Sequence, residues 1–225
     1  MAFYIDSAFL HDIMNAAQTV PVAGVTTNPS ILLAAQERGQ LLSPDELLDE
    51  LLRKVAGYIF MQPGATEDEQ MYAQALSYIE ADPRRVIPKI PMTNAGMRVA
   101  LRLKAQQQRV AFTAVTTVAQ AYSAALISAD YVIPYYNRME RSGLDAAQRI
   151  SEIADTLHNV QATSARPTRI LTASIKTADE AASALLAGSD DLTVNPEVLL
   201  NLLTDPLSEE AIARFTQDWQ KLKKL

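Results

Sequence analysis

One lysine lies inside an apolar stretch, which is an unusual place for a charged side chain. Lys89 follows three apolar residues in the predicted strand Val86–Ile90. An ammonium group that leaves water loses its hydration, so burial lowers the pKa of a lysine and favours the free amine. A free amine near neutral pH is a nucleophile that forms Schiff bases with carbonyl compounds. The alternative is a lysine that reaches solvent at the strand end or pairs with an acid such as Asp6.

Two further polar clusters follow short apolar runs near the amino terminus. Asp6 ends the first run, where its carboxylate would bind substrate hydroxyls or set the protonation of the lysine. Its alternative role is that of N-cap for the helix that follows. Thr26 and Asn28 come after the second run and would line a pocket for a polyol. Their alternative role is turn chemistry, because Asn28 precedes Pro29 at a helix start.

Short β-like runs alternate with longer Ala- and Leu-rich helical runs along the whole chain, which is typical of an α/β fold. The eight predicted strands are Phe3–Asp6, Gly24–Thr27, Tyr58–Gln62, Val86–Ile90, Val110–Ala114, Tyr131–Pro134, Arg169–Ala173 and Asp191–Val194. This alternation predicts a (β/α)8 TIM barrel. A doubly wound open sheet is the second possibility, but no strand is followed by a glycine-rich phosphate loop. Pro88 and Pro91 are expected to mark the end of the fourth strand and a bulge there.

In such a barrel the functional side chains stand at the carboxyl ends of the strands. Polar residues occupy these positions along the sequence, and they are Asp6, Thr26, Asn28, Gln62, Lys89, Thr113, Tyr135, Arg138, Ser174 and Lys176. Arginine is suited to bidentate phosphate binding, and the loops after strands seven and eight often hold phosphate. Arg138, Ser174 and Lys176 would therefore share a phosphate, unless the two cations form ordinary surface salt bridges.

Composition excludes several classes of protein. The chain has 225 residues, 48% of them hydrophobic, which suits one domain over residues 1–225. It has no cysteine and only His11 and His158, far apart, so disulfides, iron–sulfur clusters and a His-rich metal site are not expected. A net charge of −6 without a basic run argues against nucleic-acid binding. No apolar run is long enough to cross a membrane, and no signal peptide is evident, so a cytoplasmic location is expected.

Several segments, in order along the whole chain, together match one family. They are Tyr4–Asp6, Ala23–Ile31, Pro88–Thr93, Thr113–Val115, Tyr131–Arg138, Ala173–Thr177 and Phe215–Trp219. The chain resembles the small transaldolase-like family and, within it, the fructose-6-phosphate aldolases. The resemblance implies a class I aldolase, without metal or other cofactor, that cleaves fructose 6-phosphate reversibly to dihydroxyacetone and glyceraldehyde 3-phosphate.

The resemblance also implies roles for individual residues. Lys89 matches the Schiff-base lysine, and Thr113 matches a residue that orders a catalytic water. Three residues match positions that hold substrate hydroxyls, namely Asp6, Thr26 and Asn28. Three others match the phosphate end, namely Arg138, Ser174 and Lys176.

Two positions distinguish the branches of the family. Transaldolases carry Glu at the end of the third strand and usually Phe after the sixth, whereas this chain has Gln62 and Tyr135, as the aldolases do. A transaldolase that transfers a dihydroxyacetone unit between sugar phosphates is therefore the second hypothesis. A non-catalytic sugar-phosphate binder is a third, disfavoured because binding alone needs no nucleophilic lysine.

The family also predicts an assembly. Its members form pentamers or pairs of pentamers in which the last helix reaches a neighbouring subunit. The predicted C-terminal helix, about residues 208–224, carries Leu207 at its start and Ile212, Phe215 and Trp219 as candidates for that contact. The alternative is that this helix folds back on its own barrel.

Overall fold

The computed structural model describes residues 1–161 and 167–222, and its strands form a closed barrel. All neighbouring strands are parallel and follow one another in sequence order, with β8 pairing with β1. The strands are β1 (Phe3–Asp6), β2 (Gly24–Thr26), β3 (Tyr58–Met61), β4 (Val86–Pro91), β5 (Ala111–Val115), β6 (Tyr131–Pro134), β7 (Arg169–Ile175) and β8 (Asp191–Val194). The predicted (β/α)8 barrel is confirmed, and the open sheet is wrong.

Helices follow the strands on the outside of the barrel. They are α1 (Leu10–Thr19), α2 (Pro29–Glu37), α3 (Pro44–Lys54), α4 (Asp68–Ala81), α5 (Asn94–Ala105), α6 (Val118–Leu126), α7 (Tyr136–Arg141), α8 (Ala146–Gln161), α9 (Ala178–Leu186), α10 (Pro196–Asn201) and α11 (Pro206–Leu222). Local sequence explains many of their starts; Ser43, for example, forms a capping box with Glu46 at the start of α3. None of these helices is long and apolar enough to cross a membrane.

The fourth strand accommodates both of its prolines. Pro88 lies opposite Met61 and Pro91 opposite Thr113, so the strand continues through both residues and pairs on both sides. Pro91 is the last residue of β4, so the predicted strand end is confirmed there. The predicted bulge is wrong, because the pairing of β4 with β3 and β5 shows no register shift. Each proline removes one donor from a ladder, and the remaining pairs are sufficient to keep the strand in register. The register shifts lie instead near the ends of β5 and β7.

An apolar layer fills the barrel interior below the level of Lys89. Its rings meet edge to face, with centroids 5.4 Å apart for Tyr4 and Phe60 and 5.2 Å apart for Phe60 and Tyr131. Ile87 belongs to the same buried cluster. Because Ile87 and Lys89 are two residues apart on one strand, their side chains point to the same face. The lysine therefore stands on an apolar floor, towards the carboxyl ends of the strands.

The last helix has no buried residue. Its apolar side chains are exposed, including Ile212, Phe215 and Trp219, each 60% or more accessible. The helix therefore buries none of its described residues on its own barrel, and the surface on which it packs stays a prediction. The helix begins two residues earlier than predicted, at Pro206, and residues 223–225 lie outside the described part of the chain.

Candidate active site

A cavity of about 420 Å³ opens at the carboxyl ends of the strands and contains Lys89. Nine of the ten residues predicted from the sequence line it, and they are Asp6, Asn28, Gln62, Lys89, Thr113, Tyr135, Arg138, Ser174 and Lys176. The tenth, Thr26, is fully buried and lies behind Asp6. The fold therefore brings side chains from seven strands and their following loops, β1 to β7, to one place.

Lys89 is the most buried cation of the described residues that line the cavity, with 1% of its surface accessible. Within the described part of the chain its amine makes no hydrogen bond or salt bridge. No fully buried side-chain nitrogen or oxygen among the described residues lacks a hydrogen-bond partner, so the amine nitrogen itself must be accessible. It therefore faces the open cavity. Burial lowers its pKa, and the charge of Asp6 opposes that shift. Of the alternatives considered above, direct solvent exposure at the strand end is wrong, while Asp6 acts on the lysine through its electrostatic field.

Asp6 is held by a line of hydroxyl groups. Thr26 Oγ1 donates to Asp6 Oδ1 at 2.7 Å and lies 2.6 Å from Thr193 Oγ1. Burial raises the pKa of Asp6, whereas the charge of Lys89 and the Thr26 hydrogen bond lower it. Asp6 does not cap α1, because that helix begins at Leu10 without a side-chain cap. Its carboxylate is thus free to face the cavity and the lysine.

A second hydroxyl pair lines the same cavity as Lys89. Thr113 Oγ1 and the Tyr135 hydroxyl are 2.7 Å apart, so each orients the other. Burial raises the pKa of Tyr135, and its hydrogen bond to Thr113 opposes the shift. Tyr135 therefore stays protonated at neutral pH and has a proton to donate. Gln62 follows β3 and lines the same cavity, adding an uncharged amide.

Asn28 both caps a helix and lines the cavity. Its side chain caps α2 by accepting a hydrogen bond from the backbone N–H of Ile31 at 3.0 Å. It also lines the cavity, together with Ser30 in the first turn of the same helix. Sequence reasoning did not select Ser30, because a serine at a helix start carries no signal beyond capping.

The outer end of the cavity is cationic. The Arg138 guanidinium carbon lies 4.8 Å from the centroid of the Tyr135 ring, and Lys176 and Ser174 follow on the neighbouring strand. Glu180 joins the two loops, since it accepts from Asn137 Nδ2 at 2.8 Å and from the backbone N–H of Lys176 at 2.7 Å. The described residues form no salt bridge to Arg138 or Lys176, so the surface ion-pair alternative finds no support among them.

Two residues with left-handed backbones also line the cavity. Ala114 and Ser174 both have φ near 61°, and they lie at the register shifts of β5 and β7. This conformation is uncommon for residues other than glycine, and such residues cluster at functional sites. A register shift of this kind bends the strand locally, and both shifted residues stand in the cavity wall. The sequence does not predict the left-handed conformation at these two positions, because neither alanine nor serine favours it.

The comparisons with known proteins agree with this geometry. The sequence model of the family described as Transaldolase/Fructose-6-phosphate aldolase matches residues 3–225. The chain belongs to this family. Members of the transaldolase/fructose-6-phosphate aldolase family are enzymes of the transaldolase and aldolase type, which work through a Schiff base and act on sugar phosphates.

A solved structure shares the fold. Inosine 5′-monophosphate dehydrogenase from Legionella pneumophila matches with a TM-score of 0.61 at 14% sequence identity. The match covers 88% of this chain and 59% of that one, so the chain spans about three fifths of the length of that protein. At this identity the likeness shows the barrel and nothing about the chemistry.

Proposed function

We propose that the chain is a class I aldolase that cleaves fructose 6-phosphate reversibly to dihydroxyacetone and glyceraldehyde 3-phosphate. The observation that carries the proposal is Lys89, a buried amine that faces a polar cavity and has no acceptor among the described residues. Its lowered pKa increases the fraction of free amine near neutral pH. A lysine with a structural role would be expected to have a carboxylate or carbonyl partner instead.

The residues support each step of the reaction. Lys89 Nζ attacks the C2 carbonyl of the sugar, and water leaves as the iminium forms. The iminium draws the electron pair of the C3–C4 bond as the C4 hydroxyl loses its proton, and glyceraldehyde 3-phosphate departs. The enamine that remains takes a proton at C3, and water then hydrolyses the new iminium to release dihydroxyacetone. Lysine regains its free amine, so the cycle closes without any other reactant.

Tyr135 and Thr113 are the groups we assign to proton transfer. Their hydroxyls are 2.7 Å apart and lie on the same cavity as Lys89. A water held by this pair and by Gln62 would accept the C4 proton and later attack the iminium. The Gln62 and Tyr135 residue types support the aldolase over the transaldolase, because the resemblance gives transaldolases Glu and Phe at these positions.

The remaining residues are assigned to binding. Asp6 and Asn28 would hold the sugar hydroxyls, and the Asp6 carboxylate favours the cationic iminium on Lys89. The sequence predicts Thr26 as a direct binding residue. We assign it instead to orienting Asp6, to which its hydroxyl donates a hydrogen bond. A phosphate at the outer end would meet three groups, which are Arg138, Ser174 and Lys176.

A borohydride trap tests the lysine. The protein is incubated with fructose 6-phosphate or dihydroxyacetone, reduced, and the adduct is located by peptide mass spectrometry. We expect the adduct on Lys89 in the unmodified protein and no adduct in Lys89→Met. Lys104→Met is the matched control, since Lys104 lies outside the cavity. A protein that forms no adduct with any donor would contradict the Schiff-base mechanism and leave a sugar-phosphate binder.

A second assay separates the two reactions of the family. Release of glyceraldehyde 3-phosphate is followed with and without erythrose 4-phosphate as acceptor. Release without an acceptor is the expected result for an aldolase. Release only when the acceptor is present would make the protein a transaldolase, which is the second candidate because the family includes both.

We also propose that the chain forms one barrel domain whose helix α11 packs on a neighbouring copy. The support is the exposed apolar face of that helix, with Leu207, Ile212, Phe215 and Trp219 on it. Sedimentation of the full chain is expected to show a homo-pentamer or a homo-decamer. The double variant Phe215→Glu and Trp219→Glu should then sediment as a smaller species with an intact barrel. A monomeric unmodified chain would contradict this assembly.

A further inference from the structure

A second cavity lies at the opposite end of the barrel from Lys89. It measures about 630 Å³, compared with about 420 Å³ for the candidate active site. Its walls come from the segments that precede or begin β3 to β7, and Ile87 and Tyr131 form its floor. These two residues belong to the apolar layer below Lys89, so the cavity does not connect with the lysine through the interior. Its volume is in the range of small-molecule sites.

The charge of this cavity contrasts with that of the chain. The described residues that line it include four cations, Arg84, Lys104, Arg109 and Arg169, and one carboxylate, Asp130. The whole chain has a net charge of −6, so this is a local concentration of positive charge in an acidic protein. The four cations are far apart along the chain, between residues 84 and 169, so they do not form a basic run in the sequence.

Two of the four cations are already neutralised. Lys104 Nζ lies 2.8 Å from Asp130 Oδ2, and Arg169 binds both carboxylate oxygens of the buried Asp191. Arg84 and Arg109 have no carboxylate partner in the part of the chain described here. These two guanidinium groups are therefore the ones available to a ligand.

Arg109 is also held in place. Its Nη1 donates to the backbone carbonyl of Arg84 at 3.0 Å, and its guanidinium carbon lies 4.8 Å from the centroid of the Tyr58 ring. One of its five N–H groups is used by that carbonyl, and the ring occupies one face of the planar group. The other N–H groups remain available as a planar fork, the arrangement that binds phosphate with two parallel hydrogen bonds.

The helix ends provide an independent observation. Among the described residues, five helices end in the same turn, with two backbone hydrogen bonds that close around a residue of positive φ. Three of these turns use glycine, at Gly39, Gly143 and Gly188. The other two use Gln107 (φ 60°) and Ser128 (φ 54°), and these are the two that line the cationic cavity.

Glutamine and serine at these two positions raise the conformational energy of the backbone. A left-handed conformation is strained for glutamine and serine, and glycine would remove the strain. Glutamine and serine bring an amide and a hydroxyl that glycine lacks, and both residues line the cavity. Persistent strain of this kind is typical of residues that act in a functional site.

We propose that this cavity binds a small organic phosphate with two or more negative charges, through Arg84, Arg109, Gln107 and Ser128. The site is independent of the proposed aldolase reaction, because it shares no residue with the cavity around Lys89. In a purely structural role, Arg84 and Lys104 would only complement the negative carboxyl ends of α4 and α5. That role does not require the strained Gln107 and Ser128.

Calorimetric titration of the 225-residue chain tests the site. Inorganic pyrophosphate probes the phosphate groups alone, fructose 1,6-bisphosphate adds a sugar, and ADP adds a nucleoside. We expect saturable binding of at least one probe that weakens with added salt. Arg109→Ala should weaken it by about tenfold or more, the effect of losing one hydrogen bond to a charged group. Arg53→Ala, which removes an equal charge from the exposed face of α3, should leave it unchanged.

Two further sets of variants distinguish this site from the candidate active site and from a purely structural role. Arg138→Ala should leave the binding intact, whereas binding that vanishes in Arg138→Ala and persists in Arg109→Ala belongs to the candidate active site and overturns the proposal. Gln107→Gly and Ser128→Gly should raise the melting temperature and weaken the binding. If no probe binds saturably to the unmodified protein, or if the glycine variants raise the melting temperature with affinity unchanged, the proposed site is refuted.

Discussion

Removing the Thr26 hydroxyl is the perturbation that most directly tests how Asp6 is held. Thr26→Val keeps the shape of the side chain and removes the donor that lies 2.7 Å from Asp6 Oδ1. A carboxylate only accepts hydrogen bonds and a hydroxyl has one proton, so Thr26 gives its proton to Asp6. Thr193 must then donate to Thr26 across the 2.6 Å contact. The chain of donors therefore has a direction, from Thr193 through Thr26 to Asp6.

The direction determines the size of each effect. Thr26→Val removes a hydrogen bond to a charged group, worth about 1.5–3 kcal/mol, and leaves a buried carboxylate with one partner fewer. We expect the pKa of Asp6 to rise and kcat/KM for fructose 6-phosphate to fall by about ten- to a hundredfold. Thr193→Val removes only a bond between neutral groups, worth about 1 kcal/mol of stability, and leaves Thr26 bonded to Asp6. Its activity should stay within about threefold of the unmodified protein.

The barrel contains a matched control for this experiment. Thr172 Oγ1 and Ser189 Oγ form another buried hydroxyl pair at 2.6 Å, away from the Lys89 cavity. Thr172→Val should destabilise the fold by about 1 kcal/mol, as Thr193→Val does, and leave the activity unchanged. Chemical denaturation measures the stability, and the aldehyde-release assay measures the activity. If Thr26→Val lowers activity no more than Thr172→Val, Asp6 does not depend on this hydroxyl chain and the reasoning is wrong.

Three other predictions use the same assays. Asp6→Asn removes the charge that raises the pKa of Lys89, so the pH profile of borohydride trapping should shift to lower pH; a shift to higher pH would contradict that coupling. Tyr135→Phe removes the hydroxyl 2.7 Å from Thr113, and turnover should fall more than adduct formation, because the iminium still forms but is hydrolysed slowly; equal losses would argue against that role. Gly24→Ala should yield little folded protein on expression, because its Cβ would lie 1.9 Å from a backbone carbonyl oxygen of β3; a fold of normal stability would contradict the close strand approach.

The pH dependence of stability follows from the two buried charges. Because the pKa of Lys89 is lowered in the folded state, the unfolded chain binds more protons in that pH window. Stability from this residue therefore rises with pH between the folded and the unfolded pKa of the lysine. The pKa of Asp6 is raised, so its contribution has the opposite sign, and stability falls as pH rises between its unfolded and folded values.

Local patterns in the sequence were sufficient to predict the barrel fold. Each strand is a short apolar run and each helix is an amphipathic or Ala-rich run, and this alternation holds from Phe3 to Val194. Start signals such as Ser43 with Pro44 depend on residues close in sequence, so they are readable without the fold. The carboxyl ends of parallel strands meet at one rim, which is why polar residues at strand ends predicted most of the cavity wall.

Other features depend on contacts between distant segments, and only the tertiary structure decides them. Thr26 has the residue type of a binding group, but its depth in the barrel places it behind Asp6. Thr193 reaches Thr26 across 167 positions, and the closing of β8 on β1 brings it there. The register shifts near Ala114 and the cationic cavity around Arg109 likewise arise from the closed barrel. A sequence pattern records the periodicity of one segment, whereas burial and pairing depend on which segments the fold brings together.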